Sequence, residues 1–462
     1  MESNKPVTSF KQNLRFIDKL GYGCGDLAIN FAWASLGMFV VFFYTDVIGM
    51  SAAIIGTIML FSRFLDGILD VLMGIIVDKT NSKYGKARPW ILWGSVPFAI
   101  TTVLIFMVPD LSLMGKIIYI VVTYNLLMMA FTAVCIPYGT LNSLVTQDQH
   151  QREVLNLFRM FLANIGVLIV SNFTMPMVSY FGGKQAGWIL TYAILAFIAV
   201  LLFVFVFKTQ KERVQPIVKE KISLKIGLGA LCKNKYWFIA TFFFIVYSIG
   251  YAINQASTIY YAKYILGNSS LVGVMTIAFV IPIIIGFLFT APIYKKYGKR
   301  NAMIAGSLIG ILGCLITIFD PANLTVVMLS QIMKGIGQIP ILGGVWALFP
   351  DTIEYGEWKT GIRNEGLLYS GGSLGQKMGI GLGTALTGWI LDYGGYNGIQ
   401  ALQSDSAMTS IVWLFIYIPI IISVVQIIVL YIYDIDKHYK QIVSDLLKRK
   451  NLALDTIHQN SI

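Results

Sequence analysis

An all-α membrane protein of about twelve spanning helices is the fold this chain predicts, and three observations point to it. Of its 462 residues 56% are hydrophobic and only 13% charged, with a mean hydropathy of +0.71, far from the balance of a soluble domain. Apolar runs recur along the chain at helical rather than strand length. Lysine and arginine gather in alternate connecting segments, as they do in the cytoplasmic loops of multi-pass proteins.

The strong runs cover residues 31–44, 90–108, 117–135, 190–207, 238–250, 272–290, 302–319 and 411–431. Weaker ones, rich in glycine or interrupted by polar residues, cover 54–77, 157–181, 324–348 and 367–391. At roughly 20 residues per crossing these make a bundle of twelve. The first span is preceded by Lys5, Lys11, Arg15 and Lys19, the second is followed by Lys79, Lys83, Lys86 and Arg88, and the eighth by Lys295, Lys296, Lys299 and Arg300. The intervening loops carry little charge beyond Asp46, Asp110 with Lys116, Lys184, Lys263, Asp320 and Asp392, so both termini are expected in the cytoplasm. This topology accounts for the net charge of +12 without a nucleic-acid partner.

The first twenty residues are polar and do not resemble a cleavable signal peptide, so the first helix is expected to target the chain. Cys24, Cys135, Cys232 and Cys314 are scattered without metal-ligand spacing. His150, His438 and His458 fall in loops or tails, so proton chemistry inside the bundle would use carboxylates. No nucleophile, metal or phosphate-binding motif emerges, and an enzyme is disfavoured.

A charged segment with Pro216 divides the chain into an N-terminal bundle (1–208), a linker (209–235), a C-terminal bundle (236–433) and a tail (434–462). The tetrapeptide KYGK follows the second span at 83–86 and the eighth at 296–299, an echo expected of two related halves, although basic turns often recruit Gly and Lys. Paired six-helix bundles around a central cavity are the major facilitator architecture, which transports by alternating access.

Inside the second span Arg63, Asp66 and Asp70 are spaced three and four apart and share one helix face. Each charge at bilayer depth costs about 2.5–3.5 kcal/mol, so three on one helix point to a polar cavity with cation chemistry. Two carboxylates one turn apart must share a proton, a cation or the arginine; a purely structural network around Arg63 is the alternative. Asp26, with Asn30 one turn further along, could accept hydrogen bonds from sugar hydroxyls past the glycines at 21, 23 and 25, or could cap a helix starting at Gly21. Lys377, the interior charge of the eleventh span, needs an anion, for which Asp66, Asp70 and Asp26 are candidates, unless it snorkels to a surface. Arg159 could bind substrate or close a cytoplasmic gate.

Seven stretches make the chain recognisable: LGYGCGDLA (20–28), FYTDVIG (43–49), RFLDGILDVLMG (63–74), KYGKARPWIL (83–92), IPYGTL (136–141), DTIEYGE (351–357) and residues 361–377. Through them the chain resembles, over nearly its whole length, the glycoside, pentoside and hexuronide cation symporters, the melibiose permease family. The resemblance implies a bacterial plasma-membrane symporter in which Asp66, Asp70 and Thr132 hold the cation and Asp26 and Arg159 bind the sugar; Asn30, one turn from Asp26, and Tyr124, two turns before Thr132, are further candidates for the sugar site. Lys377 would link the two sites, and Trp346, Tyr369 and Ser373 would line the second-half side of the cavity.

Two departures tilt the reading. Cys135 replaces an acid of the melibiose permease, and Leu69 precedes Asp70 where that protein has asparagine. Both remove hard ligands of the kind sodium uses, which favours a proton and makes galactosides a poorer fit than xylosides or glucuronides. The expected partners are one small sugar glycoside, the coupling H+ or Na+ and the lipid bilayer, with no cofactor, no metal beyond a possible sodium at Asp66 and Asp70, and a monomeric state. No regulatory domain is expected after Tyr433. A membrane sugar sensor without transport and a lysolipid carrier of the same fold remain as alternatives; the first would need an output domain, the second a more apolar cavity.

Overall fold

The computed structural model describes residues 14–214, 229–362, 365–400 and 402–459. Lys5 and Lys11, and Pro216, Lys219, Lys221 and Lys225 of the linker, lie outside the described residues, as do the side chains of Tyr369 and His458.

Every regular element among the described residues is helical. In chain order these are α1 (Phe16–Met38), α2 (Ala52–Lys79), α3 (Arg88–Leu104), α4 (Leu113–Val145), α5 (Gln149–Tyr180), α6 (Gln185–Thr209), α7 (Lys235–Tyr260), α8 (Leu271–Tyr297), α9 (Lys299–Phe319), α10 (Leu324–Thr360) and α11 (Glu365–Tyr393). Asp405–Val412, Trp413–Tyr417 and Ile418–Ile432 run on as α12, and Asp436–Gln459 forms α13. Each apolar run of the sequence overlaps one of α1 to α12, the first running on past Met38 into Val40–Phe42 and Phe43–Val47 and the run at 90–108 ending beyond α3. Eight of these, α4 to α10 and α12, are long and apolar enough to cross a membrane, and α1 with its bent continuation would make a ninth.

Several helices start earlier than their apolar runs, because polar groups nucleate them. Asp18 in the first turn of α1 accepts the Arg15 N–H at 3.1 Å, one half of a capping box. Asp148 accepts the Gln151 N–H at 3.2 Å and opens α5. At its other end α10 runs past its apolar stretch and takes DTIEYGE into the helix.

The chain packs as two compact units, one drawn from Met1–Ser35, Ile68–Val170 and Met177–Val218, the other from Leu36–Gly67, Ser171–Pro176 and Lys219–Ile462. In the first unit, the Glu212 carboxylate accepts the N–H groups of Lys86, Ala87 and Arg88 at 2.7, 2.8 and 3.0 Å, an anion seated on the start of α3. Gly85 makes this approach possible at φ +103°, and Gly298 of the second KYGK, also in the left-handed region at φ +81°, opens α9.

In the second unit, α11 is gripped on two faces. Toward α7, a Cβ on Gly379 or Gly383 would come within 2.6 Å of the carbonyl oxygens of Ile245 and Ile249, so these backbones meet through glycine alone. On the other face Leu374, Lys377, Gly381, Ala385 and Gly388, three or four residues apart, meet the first part of α2 in antiparallel register. Trp389 Nε1 donates to Thr57 Oγ1 at 3.0 Å and Ser51 Oγ to Asp392 Oδ1 at 2.6 Å, which fixes that register. A Cβ on Gly388 would lie 2.2 Å from the Ala52 carbonyl oxygen, whereas one on Gly74 meets nothing within 4 Å. Gly388→Ala is therefore expected to destabilise the protein by about 1–3 kcal/mol. Gly74→Ala should be neutral or up to about 1 kcal/mol stabilising, and thermal unfolding in detergent would rank the two.

Three helical lines in the second unit contain a widened π turn, at Phe43–Val47, Tyr261–Ile265 and Trp413–Tyr417. The first two match bond for bond: Ile48 N–H donates to Phe43 O and Leu266 N–H to Tyr261 O, while Met50 and Asn268 reach back to Tyr44 O and Ala262 O. Asp46, in the first, accepts Lys263 Nζ at 2.6 Å, Tyr264 and Tyr396 hydroxyls at 2.7 and 2.6 Å, and Thr45 Oγ1 at 2.7 Å.

Candidate functional site

The register of α2 on α11 sets the first part of the site. Lys377 Nζ lies 2.9 Å from Asp66 Oδ2 and donates to the Asp66 carbonyl oxygen at 3.2 Å. Arg63 Nη1, one turn earlier on α2, donates to the same Oδ2 at 3.5 Å. Asp66 is 1% exposed, so one buried carboxylate serves two cations. Gly381, one turn beyond Lys377, makes room for this: a Cβ there would touch the Arg63 side chain at 3.1 Å. Truncating either side of such a group leaves charge uncompensated in a low dielectric.

Asp70, one turn past Asp66, lies in the other unit. Its Oδ1 accepts the Thr132 hydroxyl of α4 at 3.0 Å, with Asp70 half-buried and Thr132 buried. Cys135, three residues on along α4, is half-buried. Tyr124, two turns before Thr132 on the same helix, is buried.

The third group joins α1 and α5. Arg159 Nε donates to Asp26 Oδ2 at 2.9 Å, and the guanidinium carbon lies 5.4 Å from the centroid of the Tyr138 ring. Tyr138 stacks on Tyr22 at 4.9 Å and donates its hydroxyl proton to the Tyr22 carbonyl at 2.6 Å. Gly25 is the gap that admits the Tyr138 ring, which a Cβ would meet at 2.3 Å. Because α1 starts at Phe16, Asp26 sits nearly three turns inside it, about 15 Å along the axis, and caps nothing. Arg159 likewise lies well inside α5 rather than near its start. Asn30 turns back on its own helix, donating to the Asp26 carbonyl at 2.8 Å.

In the second unit, Trp346 of α10 stands edge-on to Phe244 of α7 at 4.8 Å and is 38% exposed, so one part of the indole is packed and another presented. Ser373 is half-buried on α11, one turn before Lys377. The structure thus brings together Arg63, Asp66 and Lys377, pairs Asp70 with Thr132, and pairs Asp26 with Arg159. Tyr22 and Tyr138, which frame that last pair, are not among the site residues the sequence points to, although both lie in stretches that carry the family resemblance.

A family model described as MFS/sugar transport protein matches residues 21–437. The chain is 35% identical to the uncharacterized symporter YnaJ of Bacillus subtilis, over 96% of this chain and 98% of that protein. It is 33% identical to the isoprimeverose transporter of Lactiplantibacillus pentosus, over 96% and 94%, and 31% identical to a glucuronide carrier protein homolog of Escherichia coli, over 96% and 98%. Among solved structures, a point mutant of the nucleoside transporter NupG superposes with a TM-score of 0.65 at 16% identity, covering 89% of this chain and 99% of that one, a likeness of fold. The chain belongs to the MFS/sugar transport protein family, within the glycoside, pentoside and hexuronide symporters, and is a multi-pass transport protein of the bacterial plasma membrane rather than an enzyme.

Proposed function

We propose that the chain is a proton-coupled symporter of a sugar glycoside, a xyloside or a glucuronide. It works by alternating access between two six-helix bundles, 1–208 and 236–433, with twelve spans and both termini in the cytoplasm. The observation that carries this reading is the buried Asp66, held by Arg63 and Lys377, with a second carboxylate, Asp70, four residues further along the chain. Asp66 faces the two fixed cations, and we assign to Asp70, whose carboxylate accepts the Thr132 hydroxyl, the uptake and release of the transported charge. With Cys135 and Leu69 in place of harder ligands, a proton suits the site better than sodium. Asp26 and Arg159 offer paired acceptor and donor groups for sugar hydroxyls, and the exposed part of Trp346 offers an aromatic surface for a sugar ring.

The test is uptake into proteoliposomes of a panel of xylosides, glucuronides and galactosides, driven by an imposed pH or sodium gradient. Accumulation of a xyloside or glucuronide driven by inward protons alone is the expected outcome. Drive by sodium alone would refute the proton assignment, and accumulation of galactosides only would refute the substrate assignment. Asp26→Ala should weaken direct sugar binding by about tenfold or more, the loss of a charged hydrogen bond. Unchanged affinity would remove Asp26 from the sugar site.

A further inference from the structure

A second buried cation lies outside the groups so far given a role. Lys334 of α10 is 6% exposed, and its Nζ donates to the Phe415 carbonyl of α12 at 3.1 Å and sits 4.0 Å from the centroid of the Phe415 ring. The Cys314 thiol of α9 is its other polar neighbour, and among the described residues no carboxylate pairs with it. An ammonium has three donors and a full charge; one carbonyl, one thiol and an aromatic face leave that charge uncancelled in a membrane-spanning helix.

Lys334 lines a cavity of about 50 Å³ enclosed by α7, α8, α9, α10 and α12. A single water needs about 10–15 Å³ on this measure, so there is room for a small ion. The lining holds no acidic side chain and is rich in donors. Gln426, 4% exposed, gives its Oε1 to the Ser307 hydroxyl at 3.4 Å, which leaves its amide N–H groups to donate. Tyr251 accepts at its oxygen from the Gln255 amide, which leaves its own O–H proton to donate. A buried lysine amine, several unspent donors and no carboxylate describe the receptor for an anion.

We propose that this cavity binds a small anionic group at Lys334, either a free monovalent anion such as chloride or the carboxylate of an acidic sugar. The site lies wholly within the second unit and its geometry owes nothing to the coupling scheme; only the acidic-sugar source rests on the transport reading.

The experiment is thermal unfolding of the purified full-length protein in a low-salt MOPS buffer, titrated separately with chloride, glucuronate and a neutral xyloside, beside Lys334→Met. The midpoint of the wild-type protein should rise saturably with the bound anion, as for any ligand selective for the folded state, and the Lys334→Met protein should not respond to that anion. A response to chloride alone assigns a free ion, and a Lys334-dependent response to glucuronate assigns the sugar carboxylate. No response to either anion in the wild-type protein, or an equal response in the variant, overturns the proposal. Because this readout requires no transport, a failed anion site and a failed symporter reading are told apart. A second measurement needs no variant: in crystals grown with bromide, anomalous density should appear within hydrogen-bond distance of Lys334 Nζ, and bromide found only elsewhere would overturn the free-ion assignment.

Discussion

Asp70→Asn is expected to abolish gradient-driven accumulation of sugar while leaving exchange of sugar across the membrane. In the ionised protein the charges of Arg63, Asp66, Asp70 and Lys377 sum to zero, and a proton on Asp70 leaves one positive charge in excess. Moving that charge inward gains about 2.3 kcal/mol per 100 mV of membrane potential, so the loaded carrier with a neutral sugar is driven inward and the empty one returns without cost. Asparagine mimics the protonated state permanently. The variant can carry sugar in both directions, which counterflow of labelled sugar would detect, but it cannot release a proton and so cannot couple. Accumulation at the wild-type level would take the Asp70 carboxylate out of the mechanism. The Thr132 hydroxyl, now donating to the Asp70 carboxylate at 3.0 Å, would still find an oxygen acceptor on asparagine, so the fold should survive the change.

The largest loss of stability is expected from Asp66→Ala. This buried carboxylate faces two cations, and removing it leaves Arg63 and Lys377 repelling each other where α2 meets α11. Breaking a buried pair by deleting one partner costs about 3–5 kcal/mol, and here two partners lose the same acceptor. Lys377→Met removes the cation while retaining the Arg63–Asp66 pair and should cost less. Thermal unfolding in detergent would order the variants, with Asp66→Ala below Lys377→Met below wild type. The reverse order would mean that Asp66 is not the charge that organises this contact. Transport should be lost in both, since each variant breaks the Arg63–Asp66–Lys377 group on which the proposed reading rests.

Much of this arrangement is legible in the residues. Arg63, Asp66 and Asp70 interrupt an apolar run at helical spacing, and that pattern alone puts them on one face. The need of Lys377 for an anion follows from desolvation, but which carboxylate supplies it depends on the antiparallel register of α2 on α11. That register is set by close contacts at Gly56, Gly381 and Gly388, which hydropathy does not encode. Apolar runs place the starts of α1 and α5 too late, because the first turns are polar and are held by Asp18 and Asp148 rather than by lipid-facing residues. Tyr138 escapes notice because a tyrosine in an apolar helix reads as packing until its ring is seen under Arg159. Lys334 is equally visible in the chain, yet averaging over its long apolar neighbours hides a single charge.

The matched π turns at Phe43–Val47 and Tyr261–Ile265 place a limit on how this protein can be altered. Each holds one residue more than the α turn it replaces, which advances the helical phase beyond it by about 100°. Deleting a single residue from either would swing Asp46 or Lys263 away from the shared bond, however mild the change looks on paper. Length is therefore a tighter constraint than residue type at these two places, and an insertion or deletion tolerated in the connecting loops should be lethal there.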